Sequence, residues 1–404
     1  MRFKYLVKYW PDFKQTLPRE IEIQKKERHM KPSIWRYLMI NSVICLFSYS
    51  LHAQIPAGGR ELLFRIAPGP NNPRNSEGDF ISLKDGSILF VYSRYFGDSD
   101  HDNGTAYLAG RISRDKGKTW SADQTIVERE GLLNVMSVSL LRLQNGEIAL
   151  FYLKKNAWTD CIPYMRISTD EAKTWSDPIS CITDKKGYFV LNNDRVIQLK
   201  DGRLLMAVAL HQTPEEKEWS SGARLFSYYS DDNGRTWSSS PVLENPDKVV
   251  LQEPGVVELS NGMIMMIIRA SPGTQYRSYS SNRGVDWSPA EPAGIPSPLS
   301  PATIQRIPST GDLLMVWNRN GGEDPKMKGK RTPLTIAVSK DEGKTWQHVK
   351  DIETDPDGWY CYIALHFLKK QVLLSYCAGS QAGKSGLNFT NIAKLDLGWV
   401  YDKK

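Results

Sequence analysis

Charged and aromatic residues stand where several apolar, β-prone runs of this 404-residue chain begin. The planar guanidinium group of arginine binds a carboxylate through two parallel hydrogen bonds. The side chains of Asp, Glu and Tyr can exchange protons with a bound molecule. Side chains of these types at strand starts are hard to explain as packing. They indicate a polar binding site if the fold brings the strand starts together. The set comprises Arg74, Glu77, Asp79, Asn193, Asp194, Arg195, Glu253 and Tyr362.

The cysteines of the chain permit pairing and give no indication of metal binding. Four of them follow residue 53, and none is spaced as metal ligands usually are, so we expect neither a metal nor another cofactor. Cys361 and Cys377 flank a turn predicted at Lys369-Lys370, equally far from it to within one residue. In a hairpin they would face each other. A cross-strand disulfide and two buried free thiols both fit this pattern.

A short motif, S-x-D-x-G-x-T-W, recurs five times and shows how such residues could be positioned. Its tryptophans are 55, 62, 50 and 59 residues apart. We interpret the motif as a structural turn, in which Ser and Asp cap the backbone, Gly allows the backbone angle and Trp packs between strands. The copies are Ser113–Trp120, Ser168–Trp175, Ser230–Trp237, Ser280–Trp287 and Ser339–Trp346.

The segments between the motifs also repeat. Each has two apolar runs around a Gly-containing turn, as in FISLKDGSILFVYS (80–93), with a third run before the motif and a fourth after its Trp. Such a unit is a four-stranded antiparallel sheet, which is typical of a propeller blade. With a sixth unit from residue 362 that lacks the motif, the pattern predicts an all-β, six-bladed β-propeller of four-stranded antiparallel blades over residues 54–404. ELLFRI (61–66) is expected to pair with the last blade.

The repeats and the residues at the strand starts together resemble the sialidase (neuraminidase) superfamily, over essentially residues 60–400. This resemblance implies a retaining exo-glycosidase that removes a terminal sugar acid from glycans without a metal. It also implies three arginines that bind the sugar carboxylate. Arg269 and Arg331 match the second and third of these. For the first, Arg74 is nearer the expected place than Arg65, which we assign to the closing strand.

The resemblance also assigns the catalytic groups. The family uses a tyrosine nucleophile, because a carboxylate nucleophile would be repelled by the sugar's own carboxylate. Tyr362 resembles that nucleophile and Glu253 the residue that activates it. The acid/base is expected on the loop GDSDHDNG (97–104), which offers Asp98, Asp100 and Asp102, with Asp102 favoured.

Five polar residues at the predicted mouth have no counterpart in the sialidase scheme. We expect them to make substrate contacts that are peculiar to this branch. Two other functions remain open: a propeller hydrolase or lyase that acts on another glycan, and a carbohydrate-binding propeller without activity. The five residues are Glu77, Asp79, Asn193, Asp194 and Arg195.

The charge of the chain is concentrated in its first 53 residues. They carry ten of the 52 Lys and Arg and four of the 45 Asp and Glu, which leaves 42 against 41 from Gln54 onward. This balance gives no reason to expect nucleic acid as a partner. Residues 37–51 form an apolar run after Met30, Lys31 and Arg36. This pattern predicts a start at Met30, a signal peptide cleaved after Ala53, and a secreted or periplasmic protein without a membrane span after cleavage; an uncleaved anchor is the alternative.

Overall fold

The structure is a computed structural model that describes residues 59–402. The signal peptide, the start at Met30 and the cleavage after Ala53 therefore lie outside the described residues. Within them the fold is all-β, with 25 strands and one short helix. Among the described residues, no helix is long and apolar enough to cross a membrane.

The strands and the helix follow one another along the chain with short connections. In chain order they are β1 (Arg60–Ile66), β2 (Asn75–Ser82), β3 (Ile88–Tyr95), β4 (Ala106–Ser113), β5 (Gln124–Val127), β6 (Asn134–Arg142), β7 (Ile148–Ala157), β8 (Asp160–Ser168), β9 (Ile179–Ser180), β10 (Tyr188–Val190), β11 (Val196–Gln198), β12 (Leu204–Gln212), β13 (Arg224–Ser230), β14 (Ser238–Ser239), β15 (Leu251–Glu258), β16 (Ile264–Ala270), β17 (Thr274–Ser280), β18 (Glu291–Pro296), β19 (Thr303–Arg306), β20 (Leu313–Asn318), β21 (Leu334–Ser339), β22 (Gln347–Glu353), β23 (Gly358–Phe367), β24 (Gln371–Ser380), β25 (Thr390–Asp396) and α1 (Leu397–Tyr401).

Antiparallel pairing sorts these strands into groups that follow the sequence repeats. Strands β15–β18 and β19–β22 form two separate four-stranded sheets, and β1 joins β23–β25 in a third. The groups β2–β5, β6–β9 and β10–β14 are linked into one 13-stranded sheet, in which isolated parallel bridges join Ala106 to Asn134 and Tyr188 to Cys161. No sheet of the described residues closes on itself.

The first strand completes the last sheet. Residues of β1 pair antiparallel with β25, from Arg60 opposite Leu395 to Ile66 opposite Thr390. This confirms the pairing predicted for residues 61–66. Because β1 covers the outer edge of β25, the backbone groups of that edge are hydrogen-bonded rather than open to another chain.

Apolar side chains pack between consecutive groups, and the last group packs on the first. Leu89 of β3 is in one buried cluster with Leu150 of β7, and similar clusters join each later group to the next. A further cluster unites Phe90 of β3 with Leu373 of β24 and Ile392 of β25. Since both faces of the central strands are covered, β3 is buried almost throughout instead of alternating with polar residues.

The recurrent motifs form one type of turn, as predicted. In the first copy, Asp115 accepts hydrogen bonds from the backbone N–H (2.8 Å) and the hydroxyl (2.6 Å) of Thr119. The Ser113 hydroxyl accepts from the Gly117 N–H, and Gly117 has a φ of 88°. Ala172 stands at the glycine position of the second copy with a φ of 63°, so this turn tolerates a side chain at some cost in strain.

Candidate active site

Backbone irregularities mark the first strand of four groups and the residue two positions before β11 in a fifth group. In each place one residue has a positive φ although it is not glycine, which is an uncommon conformation that recurs at functional sites. In four of the five pairings the register shifts at this residue, so the strand bulges there. A bulge re-aims the side chain next to it. The five residues are Glu77 (56°), Ser137 (58°), Asp194 (56°), Glu253 (42°) and Tyr362 (55°).

Six of the predicted site residues line one cavity of about 590 Å³. They come from four different groups of strands, three of them from loops between strands, and up to 288 residues separate them along the chain. Three of them are arginines, so the cavity is suited to an anionic ligand. They are Arg74, Asp102, Glu253, Arg269, Arg331 and Tyr362.

Tyr362 and Glu253 form the chemical centre of this cavity. The Tyr362 hydroxyl donates to Glu253 Oε1 over 3.1 Å, and Arg269 Nη1 donates to Glu253 Oε2 over 2.5 Å. Glu253 and Arg269 are both nearly buried, with 10% and 12% of their side-chain surfaces exposed. The carboxylate therefore contacts a proton donor through one oxygen and a cation through the other.

The surroundings of this pair favour an ionised glutamate and a protonated tyrosine. Burial would raise the pKa of Glu253, but Arg269 and Arg331 outweigh burial and lower that pKa below its ordinary value. Burial and the neighbouring Glu253 charge raise the pKa of Tyr362 well above its ordinary value. Glu253 is thus ready to accept the tyrosine proton when the oxygen attacks an electrophile.

Arg331 lies against aromatic rings beside Tyr362. Its guanidinium carbon is 4.7 Å from the centre of the Trp359 ring and 5.7 Å from that of Tyr362. Its Nη2 approaches the Leu299 carbonyl at 3.5 Å, and its side chain also interacts with the Cys361 thiol. Arg331 is only 7% exposed, lines the cavity and forms no ion pair with a carboxylate of the described residues.

Arg74 has a different environment, because most of its donors are already occupied. Its Nε donates to Ser76 Oγ (2.9 Å), and its Nη2 donates to Glu77 Oε2 (3.0 Å). Its Nη1 donates to Asp102 Oδ1 (2.6 Å) and to the Asp100 carbonyl (3.2 Å). The guanidinium also lies 4.5 Å from the centre of the Tyr95 ring. The Arg74 guanidinium therefore has four hydrogen bonds within the protein and one aromatic contact.

Buried side chains of the group β6–β9 donate hydrogen bonds to the aspartate-rich loop, residues 97–104. Asn134 Nδ2 donates to the carbonyls of Asp102 (2.9 Å) and Gly104 (2.7 Å), and Lys155 Nζ donates to the Asp102 carbonyl (2.8 Å). Asp100 also lines the cavity, but its Oδ2 accepts from Asn388 Nδ2. Partial burial would raise the pKa of Asp102, but Arg74 and Lys155 outweigh it and lower that pKa.

The other five predicted residues do not line this cavity, and their contacts are with the protein. Glu77 forms a buried ion pair with Arg74. Asn193 Nδ2 donates to the carbonyls of Gly78 and Tyr362, and so supports the bulge that carries the tyrosine. These side chains join the first strands of different groups to one another, and the substrate contacts expected of them stay a prediction.

Similar hydrogen bonds between groups of strands are made by Asp79, Asp194 and Arg195. Asp79 accepts from the Leu140 N–H (2.7 Å), and Asp194 accepts from Gln305 Nε2 and from the Leu365 N–H. Arg195 donates to Thr303 Oγ1 and to the Ala302 carbonyl. Asp79 and Asp194 lie at a second cavity, of about 660 Å³, whose rim is formed by later parts of the same first strands.

Sequence reasoning missed an aromatic wall on one side of the first cavity. Trp158 and Trp219 remain 48% and 43% exposed, and their ring centres are 5.4 Å apart. Trp219 also stacks on His211, with the rings 4.7 Å apart and 5° from parallel, and packs against Tyr188. Trp158 lies between β7 and β8 and Trp219 between β12 and β13, in loops outside the repeated motif and the repeated hairpin. The feature of the sequence that could have identified them is the presence of a large aromatic residue in each of two polar loops.

The predicted facing of Cys361 and Cys377 is confirmed. They are direct cross-strand partners on β23 and β24, and both are buried free thiols. Among residues 59–402 no group of three or more potential metal ligands comes together.

Known proteins resemble this chain in sequence and in fold. A sialidase of Bacteroides fragilis is 26% identical over 218 residues, which cover 51% of this chain and 37% of that protein. A sialidase of Paraclostridium sordellii is 28% identical over 242 residues, 52% of this chain and 56% of that protein. The chain therefore spans about half the length, or less, of these relatives.

A solved structure supports the fold assignment. The leech intramolecular trans-sialidase, in complex with 2,7-anhydro-Neu5Ac, superimposes with a TM-score of 0.66 at 15% identity, over 86% of this chain and 71% of that protein. The all-β fold is therefore that of sialidases. Residues 91–385 match the BNR repeat-like domain, which is nearly three quarters of the chain. The protein belongs to the BNR repeat-like family of the sialidase superfamily.

Proposed function

We propose that this protein is an exo-glycosidase of the sialidase type, which hydrolyses terminal sialic acid or a related acidic sugar from glycans with retention of configuration. One observation carries the proposal: three arginines and the hydrogen-bonded pair of Tyr362 and Glu253 line a single cavity. The sequence similarity to bacterial sialidases supports it. Export directed by the apolar run at residues 37–51 belongs to the same proposal.

The proposal includes a six-bladed propeller as the scaffold. The support is that apolar clusters join each group of strands to the next and the last group to the first, as a ring of six blades requires. The pairing of β1 with β25 would close such a ring. In this arrangement the strand starts face one end of the central channel.

In the proposed reaction, the arginines hold the sugar carboxylate and the tyrosine attacks the anomeric carbon. Arg269 and Arg331 are the forks with free donors on the cavity side. As the bond from Tyr362 Oη to the anomeric carbon forms, the phenol proton passes to Glu253 and the glycosidic C–O bond breaks. A neutral nucleophile avoids the repulsion that a carboxylate would meet from an anionic sugar.

Asp102 completes the cycle. In its protonated form it gives a proton to the departing oxygen of the glycan, so that an alcohol leaves rather than an alkoxide. It then removes a proton from a water molecule that attacks the anomeric carbon of the tyrosyl intermediate. The tyrosine oxygen leaves and recovers its proton from Glu253, which restores both residues.

A screen of the purified protein against fluorogenic glycosides tests the proposal. The panel contains α-sialosides together with neutral hexosides and hexuronides. We expect release of the fluorophore from the sialosides and loss of this release in Arg269→Ala. Turnover of another glycoside instead would assign the cavity to a different glycan hydrolase. Binding of sialosides without turnover would make the protein a carbohydrate-binding propeller.

A further inference from the structure

The guanidinium of Arg74 has no free pair of parallel N–H groups that could bind a ligand. Four of its five N–H groups have acceptors within the protein: Ser76, Glu77, the Asp100 carbonyl and Asp102. A carboxylate that binds side-on needs two parallel N–H groups. Arg74 can therefore bind the sugar carboxylate side-on only if one of its present acceptors leaves.

The two carboxylates on Arg74 differ in how easily they can leave. Glu77 is 6% exposed, lies in β2 and also accepts from the Ser76 hydroxyl, so its departure would leave a buried charge unpaired. Asp102 is 53% exposed and lies between β3 and β4, outside any strand. Arg74 itself is fixed against Tyr95. Asp102 is thus the group that a ligand carboxylate would displace.

We propose that the Arg74–Asp102 ion pair is a latch that couples substrate binding to protonation of the catalytic acid. The substrate carboxylate replaces Asp102 on Arg74, and Asp102, deprived of its cation, takes a proton from solvent. This inference rests on the proposed function, because it assumes an anionic sugar in the first cavity. It explains how a residue that is ion-paired to Arg74 serves as an acid once the substrate is bound.

The charges around Asp102 determine the direction of this coupling. Arg74 is the cation in direct contact, and Lys155 and His101 are the other basic groups whose charges act on it. Glu77 faces it with the opposite effect, and Tyr95, Tyr188 and Cys161 interact with its charge. When the ligand carboxylate pairs with Arg74, the charge around Asp102 becomes more negative, because Arg74 no longer offsets the negative charges of Glu77 and the ligand. The pKa of Asp102 must then rise, so binding takes up a proton.

Calorimetric titration measures this proton directly. The probe is 2,3-didehydro-2-deoxy-N-acetylneuraminic acid, a carboxylate-bearing unsaturated sialic acid, titrated at one pH near neutral in buffers of different ionisation enthalpy. We expect wild type to take up close to one proton per ligand, and its Kd to weaken about tenfold per pH unit in the alkaline range. Asp102→Asn should take up no proton and bind with a flat pH dependence.

Asp98→Asn is the matched control, because Asp98 is exposed on the same loop outside the cavity lining. It should take up the same proton as wild type. Binding without proton uptake in wild type would overturn the latch and leave the proposed function intact. Equal uptake in wild type and Asp102→Asn would overturn the assignment of the proton to Asp102. Absence of binding would overturn both the latch and the proposed function.

Discussion

The hydroxyl of Tyr362 donates a 3.1 Å hydrogen bond to Glu253, a residue 109 positions earlier in the chain. Glu253 in β15 and Tyr362 in β23 both have a positive φ, although neither is glycine. A strained backbone thus presents the tyrosine and the glutamate to each other and to the same cavity. This relationship is the basis of the predictions that follow.

Replacing Tyr362 by Phe should remove the nucleophile without disturbing the cavity. We expect kcat on an aryl sialoside to fall by roughly a thousandfold or more, with a small change in KM. Tyr360→Phe is the control, since Tyr360 lies two residues away on β23 and packs on Tyr376 outside the cavity. Equal activity of wild type and Tyr362→Phe would contradict the assignment.

Replacing Glu253 by Gln should remove the proton acceptor of Tyr362. We expect a fall in kcat of about a hundredfold or more. In wild type the rate should decline as pH falls through the pKa of Glu253, which the two arginines lower, and Glu253→Gln should lose this acidic limb. Glu258→Gln, on the same strand but away from the first cavity, should retain the wild-type profile. An unchanged acidic limb in Glu253→Gln would assign that limb to another group.

Replacing Arg331 by Lys tests whether the guanidinium fork binds the carboxylate. Lysine keeps the charge but cannot form two parallel hydrogen bonds, so we expect KM to rise by about tenfold or more. Arg319→Lys is a suitable control, because Arg319 is half exposed and pairs with Asp351. A KM for Arg331→Lys like that of wild type would show that the fork does not contact the substrate.

Replacing Lys155 by Met should change the pH dependence through Asp102. Lys155 holds the Asp102 carbonyl, and its charge contributes to lowering the pKa of that carboxyl. Without it the pKa of Asp102 rises. Because the acid must be protonated, the alkaline limb of the rate should move to higher pH, together with a fall in kcat of about tenfold. Lys154→Met, which alters the adjacent residue stacked on Tyr164, should leave the limb in place.

Asp194 should make the stability of the fold depend on pH. Burial raises its pKa to about 7, and Asp79 is coupled to it. A carboxyl whose folded pKa is raised stabilises the fold fully below its unfolded pKa, and this contribution is lost as pH rises through the folded value. The Tm of wild type should therefore fall between about pH 4 and about pH 7. Asp194→Asn should flatten this slope, and a slope equal to that of wild type would refute the explanation.

Much of the fold could be predicted because its signals are local. Alternating runs around Gly-containing turns indicate hairpins, and the hydrogen bonds of the motif turn, such as those of Asp115, involve residues within four positions. The pairing of β1 with β25 followed from the need to cover a sheet edge. These features depend on short-range chemistry that the sequence displays directly.

The site was predictable only in part, because its geometry depends on contacts between distant strands. The resemblance to sialidases pointed to four residues of the site: Arg269, Arg331, Glu253 and Tyr362. Nothing in the sequence indicated a positive φ at Glu253 and Tyr362, where no glycine stands. Likewise, a polar residue near a strand start can point into the cavity or donate a hydrogen bond to a strand of another group. Asn193 does the latter, and only the packed structure distinguishes the two.

The most direct test of the central claim is to trap the proposed intermediate on Tyr362. A sialosyl fluoride with fluorine at the neighbouring carbon slows the second step more than the first, so a covalent adduct accumulates. Mass spectrometry of the digested protein should find the sugar on the peptide that contains Tyr362, and find no adduct in Tyr362→Phe. A label on another residue, or equal labelling of the variant, would contradict the account.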